Sequence, residues 1–179
     1  MVRLILSLSI LLFTGCGVKE SKNTEFENSD LVNNEFITMD SLGIPIYNFD
    51  ELEPLLNRMD DKTYIVNFWA TWCAPCIKEL PFFEKINQEG NNNNLEVILV
   101  SLDMPSMWKS KLLPFIKTKD IHSKAVVLND PNQNSWIPKI DKSWSGAIPA
   151  TSIYNRKKRK FYEQVFTYKM LNKEIQEFR

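Results

Sequence analysis

The chain has 179 residues, room for one ordinary domain plus an appendage at roughly 100–200 residues per domain. With 44% hydrophobic and 25% charged residues it is neither collagenous, nor disordered, nor a multi-span membrane chain. Its 22 basic residues balance its 22 acidic ones, so no charge excess points to nucleic acid, and three cysteines are too few for a disulfide scaffold.

Met1-Val2-Arg3 carries one positive charge, and Leu4 to Phe13 is apolar apart from Ser7 and Ser9. That run is too short for a bilayer core, which needs about 20 residues. A charged start, an apolar middle and a small-residue exit predict an export signal over 1–15. Its exit, Phe13-Thr14-Gly15-Cys16, resembles the lipobox of bacterial lipoproteins, which implies cleavage before Cys16 and a lipid on that cysteine. The alternative is an ordinary secretory signal with a chance cysteine. Residues 16–34 hold only Val18, Phe26, Leu31 and Val32 as large apolar side chains. Too little surface can be buried there to order the stretch, so it is expected to be a flexible tether.

Further elements follow from periodicity. Residues 35–38 and 44–47 are short extended runs around Ser41-Leu42-Gly43, a predicted hairpin. Asn48 and Glu51 have capping-box spacing ahead of a helix over about 49–59, with Phe49, Leu52, Leu56 and Met59 on one face. Thr63 to Ala70 is β-branched and aromatic, hence a strand. A helix over 73–89 follows, then a near-continuous apolar strand over 95–101, the kind buried on both faces of a sheet. A helix near 106–118, a strand at 125–128 and a short helix around 136–140 come next. A hairpin of 151–154 with 161–166 turns at Asn155 to Lys160, and an amphipathic helix over 169–178 closes the chain. Strands alternating with helices before a terminal hairpin predict an α/β domain over 35–179 with a mixed sheet.

The chemistry-bearing motif is Trp72-Cys73-Ala74-Pro75-Cys76. A helix N-terminus offers unpaired N–H groups and about half a positive charge, which favour a thiolate at the first cysteine. The second cysteine, one turn on, can close a disulfide and release a partner. Pro75 suits a first turn because its missing N–H is not needed there. Buried inert cysteines and a zinc ribbon are the competing readings. The ribbon needs a second ligand pair, whereas the only histidine is His122 and the third cysteine is Cys16.

The run Asn67-Phe68-Trp69-Ala70-Thr71-Trp72-Cys73-Ala74-Pro75-Cys76 resembles the active site of the thioredoxin superfamily. Pro81, five residues after Cys76, matches the proline in the active-site helix, and Ile148-Pro149 looks like the cis-proline segment that faces the disulfide. The resemblance implies a thioredoxin-like fold: a central mixed β-sheet flanked by helices, here with an N-terminal hairpin and helix as an extension. Within the superfamily the chain is similar to the membrane-anchored TlpA/ResA-like envelope thiol–disulfide oxidoreductases. Glu79-Leu80-Pro81 resembles their Glu-x-Pro, and the stretch from Trp136 to Pro149 looks like lipoprotein members from Bacteroidetes-type bacteria. Where thioredoxin has a buried aspartate, this chain has Asn67.

The expected function is therefore disulfide reduction by a lipid-anchored enzyme facing the periplasm, with Cys73 as nucleophile and Cys76 as resolving cysteine. Glu79, one helical turn beyond Cys76, is expected to move the Cys76 proton. Trp72 is expected to offer a flat apolar platform, Ile148 a backbone edge for the substrate strand, and cis-Pro149 access to the sulfurs without metal binding. Neither a metal nor another cofactor is called for. The resemblance implies disulfide-containing exported proteins as partners, apocytochrome c among them, and a membrane electron donor. Competing readings are a net oxidant or isomerase, since the motif does not set direction, and a non-catalytic binding module. A peroxidase or copper chaperone is weaker, the latter for want of Cys-x-x-x-Cys and a later histidine. Trp69 reads as core, and Trp136 and Trp144 either as cover for the active-site face or as packing. Met104 and Met107 read as core filling, and Arg156 to Lys160 as a solvated hairpin tip with anionic lipid as a minor option.

Overall fold

The computed structural model describes residues 43–90 and 94–178. The export signal, the tether, Cys16 and the 35–38 arm of the expected hairpin lie outside the described residues.

Six strands form one mixed sheet: β1 (Ile46–Tyr47), β2 (Thr63–Trp69), β3 (Leu95–Ser101), β4 (Lys124–Leu128), β5 (Ala150–Tyr154) and β6 (Arg159–Tyr162). Their spatial order is β1-β4-β3-β2-β5-β6. The first four run parallel, whereas β5 is antiparallel to β2 and β6 to β5. The helices are α1 (Phe49–Leu56), α2 (Ala74–Gly90), α3 (Pro105–Met107), α4 (Leu113–Thr118), α5 (Gln133–Ile140) and α6 (Tyr168–Gln176). A π-helical stretch, Trp108–Leu112, joins α3 to α4.

Side-chain alternation along the central strands builds two cores. Ile65 and Trp69 of β2, with Val97 and Leu99 of β3, pack against Leu80 and Phe83 of α2 and Leu171 and Ile175 of α6. Tyr64, Val66 and Phe68, with Ile98 and Val100, face Leu52 and Leu56 of α1 and Trp136 and Ile140 of α5. The period of two in a strand makes this partition automatic. A sheet covered by helices on both faces is the expected architecture.

Several boundaries move, each for a physical reason. Residues 46 and 47 form β1, which lies parallel to β4, the Tyr47 carbonyl accepting from Asn129 N–H at 2.8 Å. The expected capping box is present, with Asn48 Oδ1 accepting from Glu51 N–H at 3.0 Å and Glu51 Oε2 from Asn48 N–H at 2.9 Å. Yet α1 stops at Leu56, because its last carbonyls are taken from outside. The Tyr154 hydroxyl donates to Leu55 O at 2.6 Å and the Arg159 guanidinium to Leu56 O. Met59, expected on the buried face, is 69% exposed as a result. The expected single helix near 106–118 is interrupted: Leu113 N–H reaches Trp108 O one residue farther back than an α-helix allows. Pro114 follows immediately and has no N–H to return to Ser110, which favours that local widening.

The hairpin tip is shorter than expected and is tied down. Asn155 Oδ1 accepts from Lys157 and Lys158 N–H at 2.9 and 3.1 Å, so the turn closes at residue 158. Arg159 and Lys160 therefore belong to β6. Arg159 lies over the Tyr154 ring, and Lys160 pairs with Glu174 and Glu177 at 3.2 and 2.6 Å. A solvated tip accounts only for what remains of the basic run, and even there Arg156 meets Asp61 at 2.8 Å.

Candidate active site

The ends of three strands meet at one edge of the sheet. Trp69, the last residue of β2, pairs with Ser101 at the end of β3, and Phe68 pairs with Ala150 at the start of antiparallel β5. The segments leaving β2 and β3 and entering β5 are thus neighbours. They carry the Cys73 loop, Asp103 and Pro149 respectively. Crevices beyond the carboxyl ends of parallel strands are where α/β sheets place their ligands.

Cys73 and Cys76 are joined by a disulfide, with Cα atoms 5.3 Å apart. Helix α2 begins at Ala74, one residue later than expected, so Cys73 occupies the N-cap and Cys76 the third helical position. The Cys76 backbone N–H points at Cys73 Sγ at 3.3 Å. A sulfur in this position takes the role of a capping oxygen, and as a thiolate it gains both that hydrogen bond and the helix dipole. Both sulfurs are well shielded, Cys76 more completely than Cys73. Across the crevice the Ile148 carbonyl oxygen is 3.7 Å from Cys73 Sγ. The Ile148–Pro149 peptide bond is cis, the isomer expected at this place.

Glu79 is fully buried one turn beyond Cys76, which excludes a solvated helix glutamate. Its Oε2 accepts from Phe166 N–H at 2.7 Å and its Oε1 from Asn67 Nδ2 at 2.9 Å. Asn67 also donates to Thr151 Oγ1, its partner across the β2–β5 ladder, at 3.1 Å. Burial pushes the Glu79 carboxyl up to about 7, and the two hydrogen bonds only partly oppose that rise. A buried carboxyl with its midpoint near neutrality can either hold or accept a proton under physiological conditions. The Asn67 side-chain oxygen, Oδ1, is buried with no hydrogen-bond partner among the described residues.

The remaining expected site residues separate into two groups. Trp72 stands out from the surface beside Cys73, 56% exposed, while Ile148 is half-buried against both cores. Trp69 is core, as expected. Trp136 and Trp144 are packing residues. They lie 5.7 Å apart in the core on the opposite face of the sheet from the disulfide, with Trp144 also against Phe68 at 4.8 Å. Met104 does not fill the core but is 60% exposed.

Sequence reasoning passed over Asp103. Its buried carboxylate accepts from Thr71 N–H at 3.0 Å, Thr71 Oγ1 at 2.5 Å and Ser101 Oγ at 2.8 Å. Its carbonyl accepts from Trp108 Nε1 at 2.6 Å. Asp103 therefore holds the turn that presents Trp72 and Cys73. The available signal was an acidic residue two positions past the end of an apolar parallel strand, at the edge where the cysteines sit.

A family model described as the AhpC/TSA family matches residues 51–158, which include both cysteines and Pro149. The chain belongs to the AhpC/TSA family. Among curated proteins, this AhpC/TSA member is 37% identical over 54 residues to the thiol-disulfide oxidoreductase ResA of Oceanobacillus iheyensis, covering 30% of this chain and 28% of that one. It is 41% identical over 61 residues to a thioredoxin of Coprinus comatus, covering 34% and 56% respectively. The chain thus spans between 28% and 56% of the length of these curated relatives. Among solved structures, a thioredoxin-related protein from Neisseria meningitidis serogroup B superposes with a TM-score of 0.57 at 21% identity, over 67% of this chain and 87% of that one. A DsbF homologue from Corynebacterium diphtheriae gives 0.55 at 20% identity, over 66% and 73%. The fold is thioredoxin-like, and the ResA protein of Oceanobacillus iheyensis is one of the oxidoreductases to which part of the chain is similar.

Proposed function

We propose that the protein is a thiol–disulfide oxidoreductase that reduces disulfides of exported proteins from a lipid anchor at Cys16. One observation carries this reading: the Cys73–Cys76 disulfide caps α2 and faces the cis Ile148–Pro149 segment. In the reduced protein, the Cys73 thiolate attacks one sulfur of a substrate disulfide, and the other substrate sulfur leaves with the electron pair. Cys76, losing its proton to Glu79, attacks Cys73 Sγ and displaces the second substrate sulfur; the proton returned by Glu79 and one from solvent leave the substrate as a dithiol. Two electrons pass to the substrate and the Cys73–Cys76 disulfide forms. Regeneration requires a dithiol donor, for which a membrane electron-carrier protein is the proposed partner. Trp72 and the Ile148 backbone bind the polypeptide around the reacting sulfur, in the manner of strand addition. Apocytochrome c belongs to the proposed substrate class, as does any exported protein with an accessible disulfide.

The full chain should reduce insulin disulfides with dithiothreitol as donor, and Cys73→Ser should abolish this. Cys76→Ser should instead accumulate mixed disulfides with its substrates. Unchanged turnover in Cys73→Ser overturns the reading. Direction is set by potential: a value near the roughly −270 mV of thioredoxin fits a reductase, and one near about −120 mV marks an oxidant. Lipid labelling that survives Cys16→Ala would remove the anchor.

A further inference from the structure

Glu163 lies just past the end of β6 and belongs to none of the motifs described above. Its side chain reaches away from its own strand to the loop that precedes Pro149. Oε2 accepts from Ser145 N–H at 2.8 Å and Oε1 from Ser145 Oγ at 2.5 Å. Ser145 Oγ accepts in turn from Ala147 N–H at 3.4 Å, and the Ala147 carbonyl accepts from Trp144 Nε1 at 2.8 Å. Gly146 bridges the turn at a φ of 91°, where a side chain would be strained. Two residues beyond Gly146 is Ile148, whose carbonyl faces Cys73 Sγ. Three residues beyond Glu163, Phe166 N–H is bound by Glu79. The stretch 163–166 thus connects the substrate-facing loop to the buried Glu79 carboxyl of the helix that carries Cys76.

We infer that Glu163 is a positioning residue for substrate capture, holding Ser145–Pro149 in the path that presents the Ile148 backbone to a disulfide-bearing polypeptide. The inference rests on the oxidoreductase reading above. An ionised carboxylate engaging two donors of one residue fixes both distance and direction. Without it the loop must be ordered anew at each binding event, a cost that appears in capture and not in chemistry. Only a substrate that pairs with the loop should notice.

The test uses the full chain with two probes: a peptide containing one intrachain disulfide, and 2-hydroxyethyl disulfide, which has no strand to pair. Glu163→Ala should raise KM for the peptide about three- to tenfold with kcat retained, and change the small-disulfide rate less than about twofold. Glu163→Gln, keeping one acceptor oxygen, should fall between. Amide exchange at Ser145 and Ala147 in the oxidised protein should quicken in Glu163→Ala, independently of turnover. Peptide KM and exchange both unchanged overturn the proposal, as do equal losses with the two probes. If the wild type reduces neither probe, the oxidoreductase reading has failed and the positioning role falls with it.

Discussion

Glu79 sits under two opposed influences. Burial favours its neutral form, while Phe166 N–H and Asn67 Nδ2 favour the charged one, and burial wins, leaving the midpoint at about 7. A carboxyl that binds its proton more tightly when folded stabilises the fold fully below its unfolded value of 4.5, and that contribution is lost as pH rises through about 7. The span corresponds to about 3 kcal/mol at 1.36 kcal/mol per pH unit. Denaturant titrations of the oxidised protein at pH 4.5 and 8 should therefore show wild type losing more stability toward pH 8 than Glu79→Gln does. Parallel pH dependences would contradict the assigned proton site. In the reduced protein the same substitution removes a negative charge near the end of α2 that carries the cysteines. The Cys73 thiolate absorbance titration should then move to lower pH in Glu79→Gln, with slower single-turnover reduction near neutrality. Asn67 contributes the rest of this environment, since an amide donates to Glu79 and Thr151 together without taking a proton of its own.

Elements meet at the active edge through side chains that bridge connections, and Asp103 is the most heavily engaged of them. It joins the turn after β3 to the turn after β2 through Thr71 and Ser101. Asp103→Ala would leave a buried N–H and two hydroxyls without their acceptor, a loss of about 2–4 kcal/mol by thermal or denaturant unfolding. Because Thr71 precedes Trp72 and Cys73, slower reaction with peptide disulfides should accompany that loss. Stability within about 0.5 kcal/mol of wild type would show that Thr71 and Ser101 find other partners. Arg159 plays the comparable part at the opposite end of β5, where its guanidinium reaches Leu56 O, Asn57 Oδ1 and Ser152 Oγ. That bridge is why α1 ends early and why the basic run is not a free tip.

At the scale of the molecule, the sheet separates stability from reactivity. The disulfide belongs to the core of α2 and α6, whereas α1 and α5 cover the other face. Leu80 and Leu52 are both buried, one on each side. Leu80→Ala and Leu52→Ala should each cost about 2–5 kcal/mol. Only Leu80→Ala, one turn beyond Cys76 on α2, should also shift the reduction potential, measured by equilibration with glutathione. Equal potentials for both variants and wild type would show that cavity formation beside the disulfide does not reach the sulfurs.

The residue sequence by itself determined the α/β pattern, the buried character of β2 and β3, the capping box at Asn48 and the place of the cysteines at a helix start. Those features depend on local periodicity and on neighbours within a few positions, which a linear sequence displays directly. The Cys-x-x-Cys pair and Glu79 were legible because short spacings carried them, whereas Ile148–Pro149 was legible only through the resemblance to the thioredoxin superfamily. Tertiary structure alone decided the pairing of β1 with β4, the early end of α1, the burial of Trp136 and Trp144 away from the disulfide, and the engagement of Asp103, Glu163 and Phe166. Each of these depends on a partner tens of residues distant, as when Phe166 N–H closes on Glu79 across 87 positions. Such contacts follow from which strands become neighbours, and a hydrogen-bond donor or acceptor shows no preference for its partner until the fold has brought the two together.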